Sequence, residues 1–284
     1  MEAGALTTTP VEPTVIRPAA RRPTFGLREV WKHRELLYFF AWRELKVRYK
    51  QAVLGAGWAV LQPLGYMVVL TLFFGRFLEV YAVGPYALVA LSGTVIWLFF
   101  ANSVTLAAGS LIGNASLLTK VYFPRLLAPM APVFAALVDL ALATGLLLLV
   151  MAGYGVFPGP QRVWTAVPFA LLAMISAIGL GALFAALNVK YRDIRFVVPF
   201  VLQLGIFGSG VVLSFTGLDI PDPWYSLLWV NPMLGAVEGF RWAMLGGVRP
   251  ETIHFALSAL GGLAILTIGL LYFKRMERVF ADIV

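Results

Sequence analysis

The chain has 284 residues, of which 60% are hydrophobic and 13% charged, and its mean hydropathy is +0.85. No soluble domain hides that much apolar surface, so the composition excludes one and makes this an integral membrane protein. A net charge of +8 would suggest nucleic acid in a soluble protein, but in a membrane chain its meaning lies in where the cations fall, and no nucleic-acid partner is expected.

Residues 1–30 are rich in Pro, Thr and Ala at their start and lack an apolar run. They read as a disordered cytoplasmic tail and cannot be a cleavable signal peptide. Residues 34–63, RELLYFFAWRELKVRYKQAVLGAGWAVLQP, then carry a basic amphipathic segment directly into a membrane-length apolar helix. Helical spacing puts Tyr38, Trp42, Leu45 and Tyr49 on one stripe and Arg43, Lys46 and Lys50 on the next. The pattern predicts an interfacial helix over 31–52, its aromatics at headgroup level and its cations facing lipid phosphate or an acidic partner. An anchor that only sets topology is the alternative.

Apolar stretches of about 20 residues predict six spans near 53–76, 86–110, 129–151, 164–187, 197–215 and 253–273. Ten Lys and Arg precede residue 53, two fall in the second connection, three in the fourth and three after 273, leaving four elsewhere. The positive-inside bias therefore places both termini and connections two and four in the cytoplasm of a multi-pass plasma-membrane protein. Gln62-Pro63 should kink the first span. Asp139 is the one acid deep in a span, and Asn102, Ser103 or Thr105 are its expected partners.

The chain has no cysteine and two histidines far apart, His33 and His254, so no metal site and no Cys or His chemistry is expected. It also lacks a G-x-x-x-x-G-K-[ST] phosphate loop and has no stretch of soluble length to hold one. Residues 114–125, NASLLTKVYFPR, are too polar to span yet too apolar for a solvated loop. Exposed apolar surface of that kind predicts a partner, with Leu117, Leu118, Lys120, Val121, Tyr122, Phe123 and Arg125 as the docking residues. A loop folded back on the interface is the alternative. Between 217 and 250, Pro221, Pro223 and Pro232 interrupt a half-apolar segment too broken to span. With Trp58, its Trp224, Tyr225, Trp229 and Trp242 suit either an aromatic belt or sugar stacking in a channel or at its exit. Ala177, Gly181 and Ala185 form a small-residue stripe for close helix packing.

Taken together, WRELKVRYKQAVLGAGWAVLQPL, SLLTKVYFPRLLAP, LNVKYRDIRFVVPF and NPMLGAVEGFRWAMLG resemble, in order, the motifs of ABC-2 type exporter membrane subunits. The resemblance is to the polysaccharide and polyol-phosphate permeases that export O-antigen, capsule or teichoic acid, and it covers about residues 30–278.

That resemblance implies an all-α polytopic permease without enzymatic activity of its own. Residues 53–278 form its six-span domain, working as a homodimer with two copies of a separate ATPase that holds ATP and Mg. It implies an interfacial gate helix at about 35–51, where Arg43, Lys46, Arg48 and Lys50 receive a lipid diphosphate. A coupling helix at 114–125 docks the ATPase, and re-entrant helices lie at 217–250. The cargo implied is a lipid-linked polysaccharide crossing the inner membrane. An ABC-2 exporter of drugs or small lipids is the alternative, and a transferase acting on polyprenyl phosphates a more distant one.

Overall fold

In a computed structural model, residues 27–50, 55–78, 85–120, 123–216, 218, 220–247 and 249–277 are described. They are helical, with no strand among them. Two helices, α1 (Leu27–Lys32) and α2 (Arg34–Lys50), lead through a 3-10 turn into α3 (Trp58–Leu78). Next come α4 (Tyr86–Gly113), the short α5 (Ala115–Lys120), α6 (Leu127–Gly153), the short α7 (Pro160–Thr165) and α8 (Val167–Lys190). The chain closes with α9 (Ile194–Gly205), α10 (Trp224–Leu228), α11 (Pro232–Leu245) and α12 (Thr252–Met276).

Most of the predicted tail, 1–26, lies outside the described residues. Its last four residues belong instead to α1, whose Val30 is buried and whose Glu29 pairs with Lys274 of α12 at 3.8 Å. That burial and charge pairing are what hold this stretch as a helix.

Among the described residues, five helices are long and apolar enough to cross a membrane: α3, α4, α6, α8 (with α7) and α12. The segment predicted as a span over 197–215 forms only the 12-residue α9 and a further 3-10 turn over Phe207–Ser209. Its glycines explain the difference, because α9 ends at Gly205 and Gly210 adopts φ +78°, a left-handed conformation that closes the turn. A Cβ on Gly210 would also lie 2.9 Å from Leu234 Cδ1 and 3.0 Å from Glu238 Oε1.

Helix α4 is the centre of the bundle, packed against α3, α6, α8 and α11. The small-residue stripe works as packing: Ala177, Gly181 and Ala185 are buried on α8, and a Cβ on Gly181 would come within 2.7 Å of Ala107 Cβ on α4. Asn188 Nδ2 of α8 donates to Ala108 O at 2.9 Å and stitches the same pair of helices. Pro63 sits inside α3 without ending it. Pro232 starts α11, with the Asn231 side chain accepting from Met233 N at 3.0 Å as the cap. Helix α11 is buried nearly all round, so the interrupted segment folds into the bundle as a short internal helix.

Candidate functional site

Helix α2 lies against α6 and has two unlike faces. Leu36, Leu37 and Phe40 pack on the core, whereas Tyr38, Phe39, Trp42, Lys46, Val47 and Lys50 are exposed. On the outer face the Tyr38 and Trp42 rings stack 6.5 Å apart, and Lys46 Nζ sits 5.6 Å over the Trp42 ring. The predicted stripe therefore splits: Tyr38 and Trp42 stay outside while Tyr49 turns in.

What turns it in is Asp139, near the middle of α6. Arg48 Nη1 donates to Asp139 Oδ2, and the Tyr49 hydroxyl donates to Asp139 Oδ1. A carboxylate at that depth is tolerated only when a cation and further donors meet it. The expected partners on α4 are corrected by this arrangement. Asn102 Nδ2 instead donates to Gln62 Oε1 of α3 at 3.4 Å, Thr105 Oγ1 donates back to Ala101 O at 2.8 Å, and Ser103 is buried in the bundle. Neutral amides and hydroxyls do not offset a buried charge as a guanidinium does.

A second fastener sits nearer the middle of α2. Arg43 Nη2 donates to Asn114 Oδ1 at the C-terminus of α4 and lies 3.5 Å from Glu44 Oε1. Asn114 is itself held by its Nδ2 donating to Ser110 O at 2.8 Å. Of the four predicted gate cations, then, Arg43 and Arg48 are engaged within the chain, and Lys46 and Lys50 point outward.

Behind α2 lies a cavity of about 280 Å³, lined among others by Arg48, Trp58, Gln62, Asn102, Thr105 and Asp139. A more open groove of about 600 Å³, lined by Arg43, Glu44, Asn114 and Leu117, shares Thr105 and Leu106 with it. The two hollows thus adjoin along one face of α4, and α2 contributes residues to both.

The predicted docking segment divides. Leu117 is half-buried at the groove, whereas Phe123 is buried edge to face against Phe40 at 5.1 Å, so packing on α2 removes its ring from any docking face. Arg125 Nη1 donates to Glu277 O at 2.9 Å, tying the segment to the end of α12. Val121 and Tyr122, and the side chains of Leu118 and Lys120, lie outside the described residues.

The predicted exit aromatics also divide. Trp58 and Trp224 are exposed, Tyr225 and Trp242 half-buried, and Trp229 is fully buried. The Trp229 ring stacks on His254 at 5.1 Å and meets Phe255 at 5.9 Å, so it is core and reaches neither sugar nor headgroup. Arg249 lies 5.4 Å over the Trp242 ring.

Sequence reasoning undervalued Glu238. It and Arg241, three residues apart on α11, pair at 3.1 Å deep in the bundle, with side chains 3% and 5% exposed. Glu238 accepts from Ser214 Oγ, Phe215 N and Thr216 Oγ1. Arg241 Nη2 donates to Gly210 O at 2.7 Å, and Tyr86 Oη donates to Val212 O at 2.7 Å. Together they bind the 210–216 segment to the Tyr86 end of α4, about 40 Å along that helix from Asn114.

The family description "ABC-2 type transporter" matches residues 35–245, most of the chain. The chain belongs to the ABC-2 type transporter family. Membership makes it a transport protein rather than an enzyme. Among its ABC-2 relatives is an O-antigen export system permease protein, RfbA, of Klebsiella pneumoniae, 24% identical over 249 residues, 88% of this chain and 95% of that one. RfbA of Myxococcus xanthus is 28% identical over 218 residues, 76% of this chain and 82% of the relative. The polysialic acid transport protein KpsM of Escherichia coli is 25% identical over 243 residues, 83% and 91% of the two chains.

Proposed function

We propose that this chain is the permease subunit of an ATP-driven exporter that moves a lipid-linked polysaccharide, such as O-antigen, capsule or wall polymer, outward across the plasma membrane. The observation that carries the reading is similarity along most of the chain to permeases named for two different glycans, O-antigen and polysialic acid. Two copies of the chain would form the pathway and two copies of a separate ATPase, holding ATP and Mg, would drive it. The sequence supports a separate energy source, because it carries no phosphate loop.

The six-span topology belongs to the same reading. The five long helices and a sixth crossing by the 194–213 segment would return the chain to its starting side, with α10 and α11 as re-entrant elements before α12. The cation distribution supports cytoplasmic termini. On this arrangement α2 is the gate helix, where Lys46 and Lys50 meet headgroup phosphate, and 114–125 is the coupling segment that docks the ATPase.

Mass spectrometry of the chain purified from its native membranes in mild detergent tests the proposal. A phosphate-loop ATPase at one copy per permease is expected. Repeated gentle preparations that retain none would overturn it. Charge reversal of Lys120 and Arg125 together tests the coupling assignment, since a folded double variant that still binds ATPase and exports normally contradicts docking there.

A further inference from the structure

We propose that the joint between α1, residues 123–126 and the C-terminal end of α12 is a clasp that holds the ATPase-docking segment in register, with Lys274 as its positioning residue. This rests on the reading of 114–125 as the coupling segment of an exporter, and deepens it.

The contacts close a ring. Helix α1 runs on into α2, with His33 N donating to Glu29 O at 3.2 Å and Leu37 N to His33 O at 3.1 Å. Phe40 of α2 then meets the Phe123 ring at 5.1 Å. Two residues further on, Arg125 Nη1 donates to Glu277 O at 2.9 Å. Glu277 is the C-cap of α12, so its carbonyl lies at the negative end of that helix, where a guanidinium is a favourable partner. Lys274 completes the circuit: its Nζ is 2.6 Å from the Glu277 carboxylate and 3.8 Å from that of Glu29 on α1. Beneath these polar links Val30, Leu126, Leu270 and Phe273 are buried. Glu29, Pro124, Lys274 and Glu277 line a shared crevice of about 10 Å³, room for no more than a water, so the joint is built to hold helices and not a ligand.

A ring with no free end shares displacement around it. The docking segment is fixed to α2 through Phe123 and to the end of α12 through Arg125, so a shift imposed on it by a partner moves both helices together. Lys274 ties the two sides, since it reaches acids on both α1 and α12. The Glu29 side chain is 55% exposed and that of Lys274 31%, and ion pairs so placed add little to stability. The apolar floor therefore supplies the adhesion and the charges set the register. Loss of the clasp reads out as lost coupling rather than as unfolding.

Surface glycan and ATP hydrolysis, measured together for each variant with its native partner, give export per ATP. Lys274→Glu sets a third acid beside Glu29 and Glu277 and is expected to lower that ratio by about threefold or more, with the amounts of permease and retained ATPase unchanged. Glu29→Lys combined with Lys274→Glu returns a cation to the joint and is expected to recover most of the ratio. Arg275→Glu makes the same charge change on an exposed neighbour outside the joint and is expected to match wild type. Lys274→Gln adds no acid and is expected to fall between wild type and Lys274→Glu, and it carries the same test where Lys274→Glu fails to fold.

Wild-type coupling in both Lys274 variants overturns the proposal. So does a loss that the reversed pair fails to recover, or one that Arg275→Glu reproduces. Limited trypsin digestion of the purified chain reads the clasp without reference to cargo or ATPase. Cutting after Arg125 is expected to be faster in Lys274→Glu and near the wild-type rate in the reversed pair, because a looser joint opens more often. Equal rates in all three overturn the clasp whatever the chain exports. Surface glycan that is independent of the chain in wild-type cells fails the export reading instead, and faster cutting in Lys274→Glu then still supports the joint.

Discussion

Phe40 of α2 and Phe123, just beyond α5, meet edge to face with ring centroids 5.1 Å apart. The contact joins α2, the proposed gate helix, directly to the segment proposed for ATPase coupling, so the proposed function has motion of one reach the other through these rings. Replacing Phe123 with Ala is expected to cost about 3 kcal/mol of stability and to uncouple the machine, leaving ATP hydrolysis while export falls. Measuring both in the same membranes checks this. Hydrolysis and export falling in parallel would mean that the ring does not transmit between the two sites.

Glu238 takes donors from three residues of the 214–216 segment and pairs with Arg241. Glu238→Ala leaves that guanidinium buried and uncompensated, a loss of about 3–5 kcal/mol. Glu238→Gln keeps an acceptor and should lose less. Melting temperatures in detergent decide the order, and an Ala variant as stable as wild type refutes the role.

Gly210 and Gly155 both have positive φ, +78° and +70°, but only Gly210 is crowded. Gly155→Ala should cost about 1 kcal/mol from backbone strain alone. Gly210→Ala should cost clearly more, because its methyl also strikes Leu234 and the Glu238 carboxylate. Equal melting temperatures for the two variants would show that the contact can relax.

Gly181→Leu should wedge α8 from α4 at Ala107, whereas Gly145 on α6 faces open space, a Cβ there meeting nothing within 4 Å, so Gly145→Leu should be accommodated. The first is expected to abolish recovery of folded protein and the second to leave it near wild type. Size-exclusion profiles of the two separate packing from a general intolerance of bulk.

Much of this architecture was legible in the chain. Long apolar runs located five helices within a few residues, and the 177–181–185 stripe pointed to close packing, since both signals are local. The helix expected over 197–215 ends early because hydropathy records the preferred solvent and not the backbone, and the run is apolar through Gly205, where the helix stops, and Gly210, where the chain turns. The interfacial helix was readable, but not which side of it faces in. Tyr49 follows a partner 90 positions away, and period alone counts it with Tyr38 and Trp42. One signal was available: a lone acid in mid-span calls for a cation, and Arg48 is among the few cations close to a predicted span. Phe123 and Trp229 looked like surface aromatics for the same reason, since burial of a ring by a distant element leaves no mark in its neighbours.

The most direct test of the central claim is to deplete the chain from its cells and measure on which face of the plasma membrane lipid-linked glycan collects. Accumulation of polymer on the cytoplasmic face, with loss from the cell surface, is the result the account predicts. Surface glycan at its undepleted level, or polymer stranded on the outer face, would contradict it.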